Sequence, residues 1–210
     1  MLSSEEMENY GFLKQKALQL GGIEAKLIPA KNIYVENRVT LKCKSGCVAY
    51  GNKLTCPPHV PTADEFKQIL DEYQYALLLK FESPAEADEE LICSIYRNWL
   101  DPNTSPNSKQ KADTFWADYF NFSKQILDIM LELEKTAFNA GYTFALALVN
   151  GSCRLCETCN VKNGICAHPS KARIPEHAVG INMIKTARKS GMEIKFPAKN
   201  PKPLTVLLID

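Results

Sequence analysis

The stretch that most limits what this chain can become runs from Cys153 to Pro169 and reads Cys-Arg-Leu-Cys-Glu-Thr-Cys-Asn-Val-Lys-Asn-Gly-Ile-Cys-Ala-His-Pro. It holds four of the eight cysteines. Cys153, Cys156 and Cys159 follow one another as C-x2-C-x2-C, a spacing that lets three thiolates each reach a different iron of a cubane. A tetrahedral zinc knuckle more often draws on separated C-x2-C pairs from two turns. The spacing therefore favours a [4Fe-4S] cluster over structural zinc. Cys166 is the natural fourth ligand, and Gly164 lets the chain turn back to present it. Two disulfides of a secreted protein, or a redox C-x2-C pair, explain less. The N-terminal Met-Leu-Ser-Ser-Glu-Glu-Met-Glu-Asn-Tyr is acidic and lacks an apolar export region, and a redox pair leaves the third and fourth cysteines unused.

A second group lies upstream, at Cys43, Cys47 and Cys56. Gly46 and Gly51 permit tight turns there, and Pro57 and Pro58 stiffen the backbone directly after Cys56. Three thiolates leave one iron of a [4Fe-4S] cluster without a cysteine. Its fourth partner could be His59, a distant residue such as Cys93, or nothing from the protein. An iron with an exchangeable position acts as a Lewis acid toward a small ligand, and His59 would then close the position or hold a proton beside it. A zinc site of Cys3His type is the alternative.

Composition narrows the setting. With Lys+Arg 25 against Asp+Glu 24, the net charge of +1 carries no global field for nucleic acid. No apolar run of membrane-spanning length exists, so the reading is a soluble cytoplasmic protein. At 210 residues and 45% hydrophobic, residues 1–210 suit a single domain with metal-binding loops at 43–59 and 153–169.

Periodicity predicts helices and strands in alternation. A helix is expected from Ser3 to Leu20 with Ser3 and Glu6 as its capping box, a strand over Glu24–Pro29, and an extended piece over Arg38–Lys42 leading to Cys43. Thr62 and Glu65 cap a helix carrying Phe66, Ile69, Leu70 and Tyr73. The run Tyr75-Ala-Leu-Leu-Leu-Lys-Phe reads as a strand buried on both faces. Ser83-Pro84 opens a helix with Leu91, Ile92, Ile95, Tyr96 and Trp99 on one stripe and Cys93 as a small core residue. Asp101 to Ser108 is a surface loop, and a long helix follows from about Gln110 to Ala140. Tyr142 to Val149 is a second buried strand, leading through Asn150-Gly151-Ser152 to Cys153, where ligands of open α/β sheets collect beyond strand ends. Pro175 opens a last helix, and Leu204 to Ile209 ends the chain as a strand. The fold class is α/β or α+β, a small mixed sheet covered by helices.

Three segments together resemble one family: Lys42-Cys43 through Cys56-Pro-Pro with Tyr50-Gly51 inside, Gly151-x-Cys153-x2-Cys156-x2-Cys159-x6-Cys166-x-His168-Pro169, and Gly180-Ile181. The chain is similar over nearly its whole length to the domain-of-unknown-function 2284 family, predicted metal-binding proteins of anaerobic bacteria and archaea. The resemblance implies metal binding and an anaerobic setting, with no established reaction. One departure stands out: such proteins tend to read Pro-Ser-Met-Glu-Ala where this chain has Ile174-Pro175-Glu176-His177-Ala178.

Three functions compete. The first is a ferredoxin-like electron carrier whose Arg154, Lys162, Lys171 and Arg173 offset cluster charge or dock an acidic redox partner protein. The second is an iron–sulfur oxidoreductase or lyase-type enzyme in which the four-cysteine cluster feeds electrons to a small-molecule substrate at Cys43, Cys47 and Cys56. The third is a structural or regulatory zinc protein. His168, beside Cys166, is expected to tune a cluster through its ring rather than to ligate it.

Overall fold

The computed structural model describes residues 9–94, 101–195 and 198–210. Its centre is a four-stranded sheet of β1 (Glu24–Pro29), β2 (Tyr75–Lys80), β3 (Leu146–Leu148) and β4 (Leu204–Ile209). The strand order is β1-β2-β4-β3, and all three ladders are antiparallel. Six α-helices among the described residues surround it: α1 (Gly11–Gln19), α2 (Asn37–Lys44), α3 (Ala63–Leu70), α4 (Glu89–Cys93), α5 (Pro106–Asn139) and α6 (Met183–Lys189).

Side chains alternate across a strand, so a central strand covered on both faces must be apolar throughout. β2 and β4 meet that demand. Ala76 and Leu78 of β2, with Val206 and Leu208 of β4, face a core built by Phe66 and Leu70 of α3, Met183 and Ala187 of α6, and Val179 and Ile181 between. Leu77, Leu79, Leu207 and Ile209 face the opposite core, formed by Leu13 and Ala17 of α1 and by Ile126, Met130, Leu133 and Ala137 of α5. The α5 residues are spaced by four, three and four, which puts them on one helical face. The expected buried strand over 75–81 and the C-terminal strand are therefore present, as are the α3 helix and its Thr62–Glu65 capping box.

Elsewhere local chemistry moves the boundaries. The segment expected to be extended at Arg38–Lys42 is helical, within α2. Its alternation of Val39 and Leu41 is too short to distinguish the two states, and Leu41 is 56% exposed, so no strand face is being buried. Lys42 and Lys44 in the last turn suit the negative end of a helix. The strand expected over Tyr142–Val149 shrinks to β3, because Tyr142 still bonds back to Ala137 and Phe144 is exposed. α5 begins earlier than expected, at Pro106, where the Ser105 hydroxyl accepts from the Ser108 amide and proline fits the first helical turn.

Three further expectations change. α4 starts at Glu89 under an Asp88 cap rather than at Ser83-Pro84, and Cys93 at its end is exposed rather than a core residue. Ile95, Tyr96, Trp99 and the Ser3–Glu6 capping box lie outside the described residues. After Pro175 comes a short 3-10 turn, Glu176–Val179, and α6 forms only after an Asn182 cap. Gly180 separates the two at φ +88°, and a β-carbon there would sit 2.6 Å from Ala63 Cβ, so glycine is needed for both turn and packing. No helix of the described residues is long and apolar enough to cross a membrane.

Because β2 is packed on both sides, Leu77→Ala and Leu78→Ala should each destabilise the protein by about 2–5 kcal/mol in urea unfolding. A cost below about 1 kcal/mol for either would mean that its face of the sheet is not a packed core.

Candidate metal centre

The second cysteine loop is an excursion from the sheet edge, closed at its base by backbone pairing. The Val149 amide donates to the Ile174 carbonyl at 3.1 Å, and the Glu176 amide donates to the Val149 carbonyl at 3.2 Å. Residues 150–174 are thus held as one loop. A partly buried ion pair fixes the same stem: Arg173 Nε lies 2.7 Å from Glu134 Oε1 of α5, and a second guanidinium nitrogen bonds Oε2. Glu134 Oε1 also accepts from the Ala147 amide of β3 at 2.6 Å. One carboxylate therefore ties helix, edge strand and loop together. Inside the loop, Val161–Asn163 forms a 3-10 turn, and Gly164 at φ +66° reverses the chain toward Cys166.

The first loop is organised by successive tight turns. Cys43 is buried on the last turn of α2, Cys47 is exposed after Gly46, and Cys56 is buried. The Tyr50 amide donates to the Cys47 carbonyl at 3.0 Å, and the Gly51 amide to the Pro57 carbonyl at 2.9 Å. His59 is exposed, with its backbone amide on the Cys56 carbonyl and its ring Nε2 3.5 Å from the Gly51 carbonyl.

Fold and loop contacts bring the two groups together. At the base, Val35, which leads into α2, forms an antiparallel bridge with Ile181, beyond the second loop. The Glu36 amide donates to Gly180, and the Asn182 amide donates to Tyr34. At the tips, the Leu54 amide donates to Cys159 Sγ at 3.4 Å, and Lys53 Nζ to the Cys156 carbonyl at 3.3 Å. The His168 amide donates to Cys166 Sγ at 3.4 Å, so the backbone of His168 reaches a cysteine sulfur. Amide donors of this kind stabilise thiolate sulfur.

Burial acts against thiolates in this region. It pushes the Cys56 thiol up to about 11, with Cys47, Cys43 and Cys153 adding to the rise. Burial raises Cys43, with Cys47 adding, and raises Cys153, where Lys53 partly offsets the effect. A cation bound among these sulfurs would reverse that balance and hold them ionised, so a metal suits the donor set. Among the described residues no group of three or more His, Cys, Asp or Glu side chains is placed to hold a metal ion as it stands. Cys56 interacts with Cys43, Cys47 and Cys153, and Cys153 with Cys156 and Cys166, so the loops would have to draw closer around an ion, as ligand loops do when they fold on a metal.

Residues 26–209 match a family described as predicted metal-binding proteins. The chain belongs to the DUF2284 family. No curated protein and no solved structure matches it.

Several residues of this DUF2284 protein carry roles that their sequence context hid. Arg173, grouped in sequence with Arg154, Lys162 and Lys171, is taken up structurally by Glu134, while the other three are exposed. Glu134 was detectable as a charge inside the buried stripe of α5, beside Leu133 and Ala137. Glu176 is buried, its Oε2 has no hydrogen-bond partner, and burial pushes its carboxyl up to about 8. Asn150 is buried behind Cys153, with its amide donating to Tyr119 and Ser123 of α5.

Two expected outcomes follow from these buried charges. Glu134→Ala leaves Arg173 buried without its partner and should cost about 3–5 kcal/mol, while adding Arg173→Met should recover part of that loss. Denaturant unfolding of both variants checks this; equal stability of Glu134→Ala and the parent would mean the pair does not hold the stem.

Glu176 has a folded pKa raised above its unfolded value, so the native state holds the extra proton between about pH 4.5 and 8. Stability from this group is complete below that window and falls as pH rises through it. Glu176→Gln should therefore be more stable than the parent by roughly 4 kcal/mol at pH 7.5 and nearly equal to it at pH 4.5. His177, pushed down by burial and then by Lys42, acts in both proteins and drops out of the difference. A gap between the two melting curves that does not vary with pH would contradict the assignment.

Proposed function

We propose that this protein binds two [4Fe-4S] clusters, one held by Cys153, Cys156, Cys159 and Cys166, the other by Cys43, Cys47 and Cys56, and that it carries out redox chemistry on a small substrate. The observation that supports this most is the amide contact from Leu54 of the first loop to Cys159 of the second, which makes the two cysteine groups neighbours. Such clusters supply one-electron transfer and, at an iron lacking a cysteine, a Lewis acid.

The chain's own residues divide the work. Leu54 and His168 direct amide hydrogens at Cys159 and Cys166, and such donors would raise the reduction potential of a cluster held there. The Glu134–Arg173 pair and the Val149–Ile174 pairing hold the stem of that loop, so its sulfurs are presented from a fixed base. On the other loop His59, at the exposed edge beside Gly51, is available to hold or deliver a proton. Family membership supports metal binding, and the C-x2-C-x2-C spacing supports iron–sulfur over zinc.

Protein purified anaerobically should contain iron and sulfide in equal amounts with the broad visible absorption of iron–sulfur clusters. Cys156→Ser should remove about one cluster's worth of iron and leave the Cys43 group loaded. Added cyanide should perturb the remaining spectrum through the three-cysteine site. Stoichiometric zinc without sulfide would sink the iron–sulfur reading. A second cluster indifferent to every added ligand would leave an electron carrier without catalysis.

A further inference from the structure

We infer that the cleft between the two cysteine loops and α5 binds a small organic dianion carrying carboxylate or phosphate oxygens, with Arg154, Lys53 and Lys124 as its receptors. The cleft has a volume of about 510 Å3, within the range of small-molecule sites. Its walls come from all three elements: Lys53 from the first loop, Cys153, Arg154 and Cys156 from the second, and Phe120 and Lys124 from α5.

Charge is the first argument. Three cations line this cleft against one carboxylate, Glu157, although the whole chain carries a net charge of only +1. Among the described residues none of the three forms an ion pair. Arg173 shows the contrast, since Glu134 takes it up. Among the lining side chains other than the cysteines there is a local excess of two positive charges in a concave site, and such an excess attracts a dianion.

Orientation is the second. The guanidinium carbon of Arg154 lies 3.3 Å from the centroid of the Phe120 ring. The ring packs against the guanidinium, whose N–H groups can grip two oxygens at once. Lys53 is fixed by its 3.3 Å contact with the Cys156 carbonyl, which positions the ammonium without neutralising it. Asn121, also in the wall, offers an amide to a further oxygen. The cleft shares Cys153 and Cys156 with the proposed cluster site, so an anion bound here lies beside the redox centre. Only its assignment as substrate rests on the iron–sulfur reading.

The competing role for these cations is to balance the charge of a metal–thiolate centre, and the test separates the two. Anaerobically prepared protein, assayed for iron, sulfide and zinc, is titrated calorimetrically at pH 7.5 with succinate and with inorganic phosphate, against potassium chloride of equal ionic strength. Saturable binding of either anion at one site per chain is expected, weakened at least tenfold in Arg154→Gln and in Lys124→Gln with metal content unchanged. Arg154→Lys, which keeps the charge and loses the fork, should also bind more weakly. Preference for succinate marks a carboxylate ligand and preference for phosphate a phosphate ester. The inference is overturned by heats that chloride reproduces, by binding that survives the combined Arg154→Gln and Lys124→Gln change, or by iron lost in step with anion binding. Zinc without sulfide would remove the redox reading alone, and the titration would still decide the anion site.

Discussion

The pairing of β2 with β4 decides where the rest of the chain must go. Both strands are buried on both faces, and each leucine they contribute is sealed between helices. A side chain so placed is worth about 1.5–3 kcal/mol of burial and cannot be exchanged for a ligand without losing it. Reactive groups are consequently displaced to what lies outside that pair. β3 bonds β4 over three residues and then leaves the sheet, and the chain released there is the loop that carries Cys153 to Cys166. The other cysteine loop leaves from α2, whose entry is bonded to the segment just past the second loop.

Neither cysteine loop has a hydrophobic core of its own. Val48 and Ile165, each next to a cysteine in sequence, are 73% and 64% exposed. What holds the loops is pairing at the stems: Val149 with Ile174, Val35 with Ile181, and Glu134 with Arg173. Such a construction is firm at the base and unfinished at the tip. The buried thiols, raised by desolvation, add an electrostatic reason for the same arrangement to favour a bound cation.

The parts legible in the sequence were those set by a strong local period or a strong local chemistry. The apolar run at 75–81, the three-and-four spacing of α5 and the Thr62–Glu65 box each specify one state, and the structure has them. The cysteine spacing marked both loops without reference to the fold. What stayed hidden depended on partners distant in sequence. Val39 and Leu41 alternate like a strand, yet α2 is set by packing against the 3-10 turn at 176–179, more than a hundred residues away. Cys93 sits between apolar neighbours, but the short α4 leaves it outside the core. Proximity of the two cysteine groups was invisible for the same reason, since Leu54 and Cys159 meet only once the stems are bonded.

Arg154 and Arg173 show how the fold assigns different work to like residues. Both belong to the second cysteine loop, and from the sequence both are basic residues flanking a metal site. Glu134 breaks the equivalence. Its carboxylate lies on the buried side of α5, where an uncompensated charge would be costly, so it demands a cation and takes the arginine at the stem. The arginine nearer the cysteines forms no ion pair among the described residues and instead rests on Phe120 of α5. An arginine neutralised by a buried carboxylate can only position its loop. One held by a ring keeps both its charge and its hydrogen-bonding edge, and a loop that needs both a fixed base and a charged rim requires one of each.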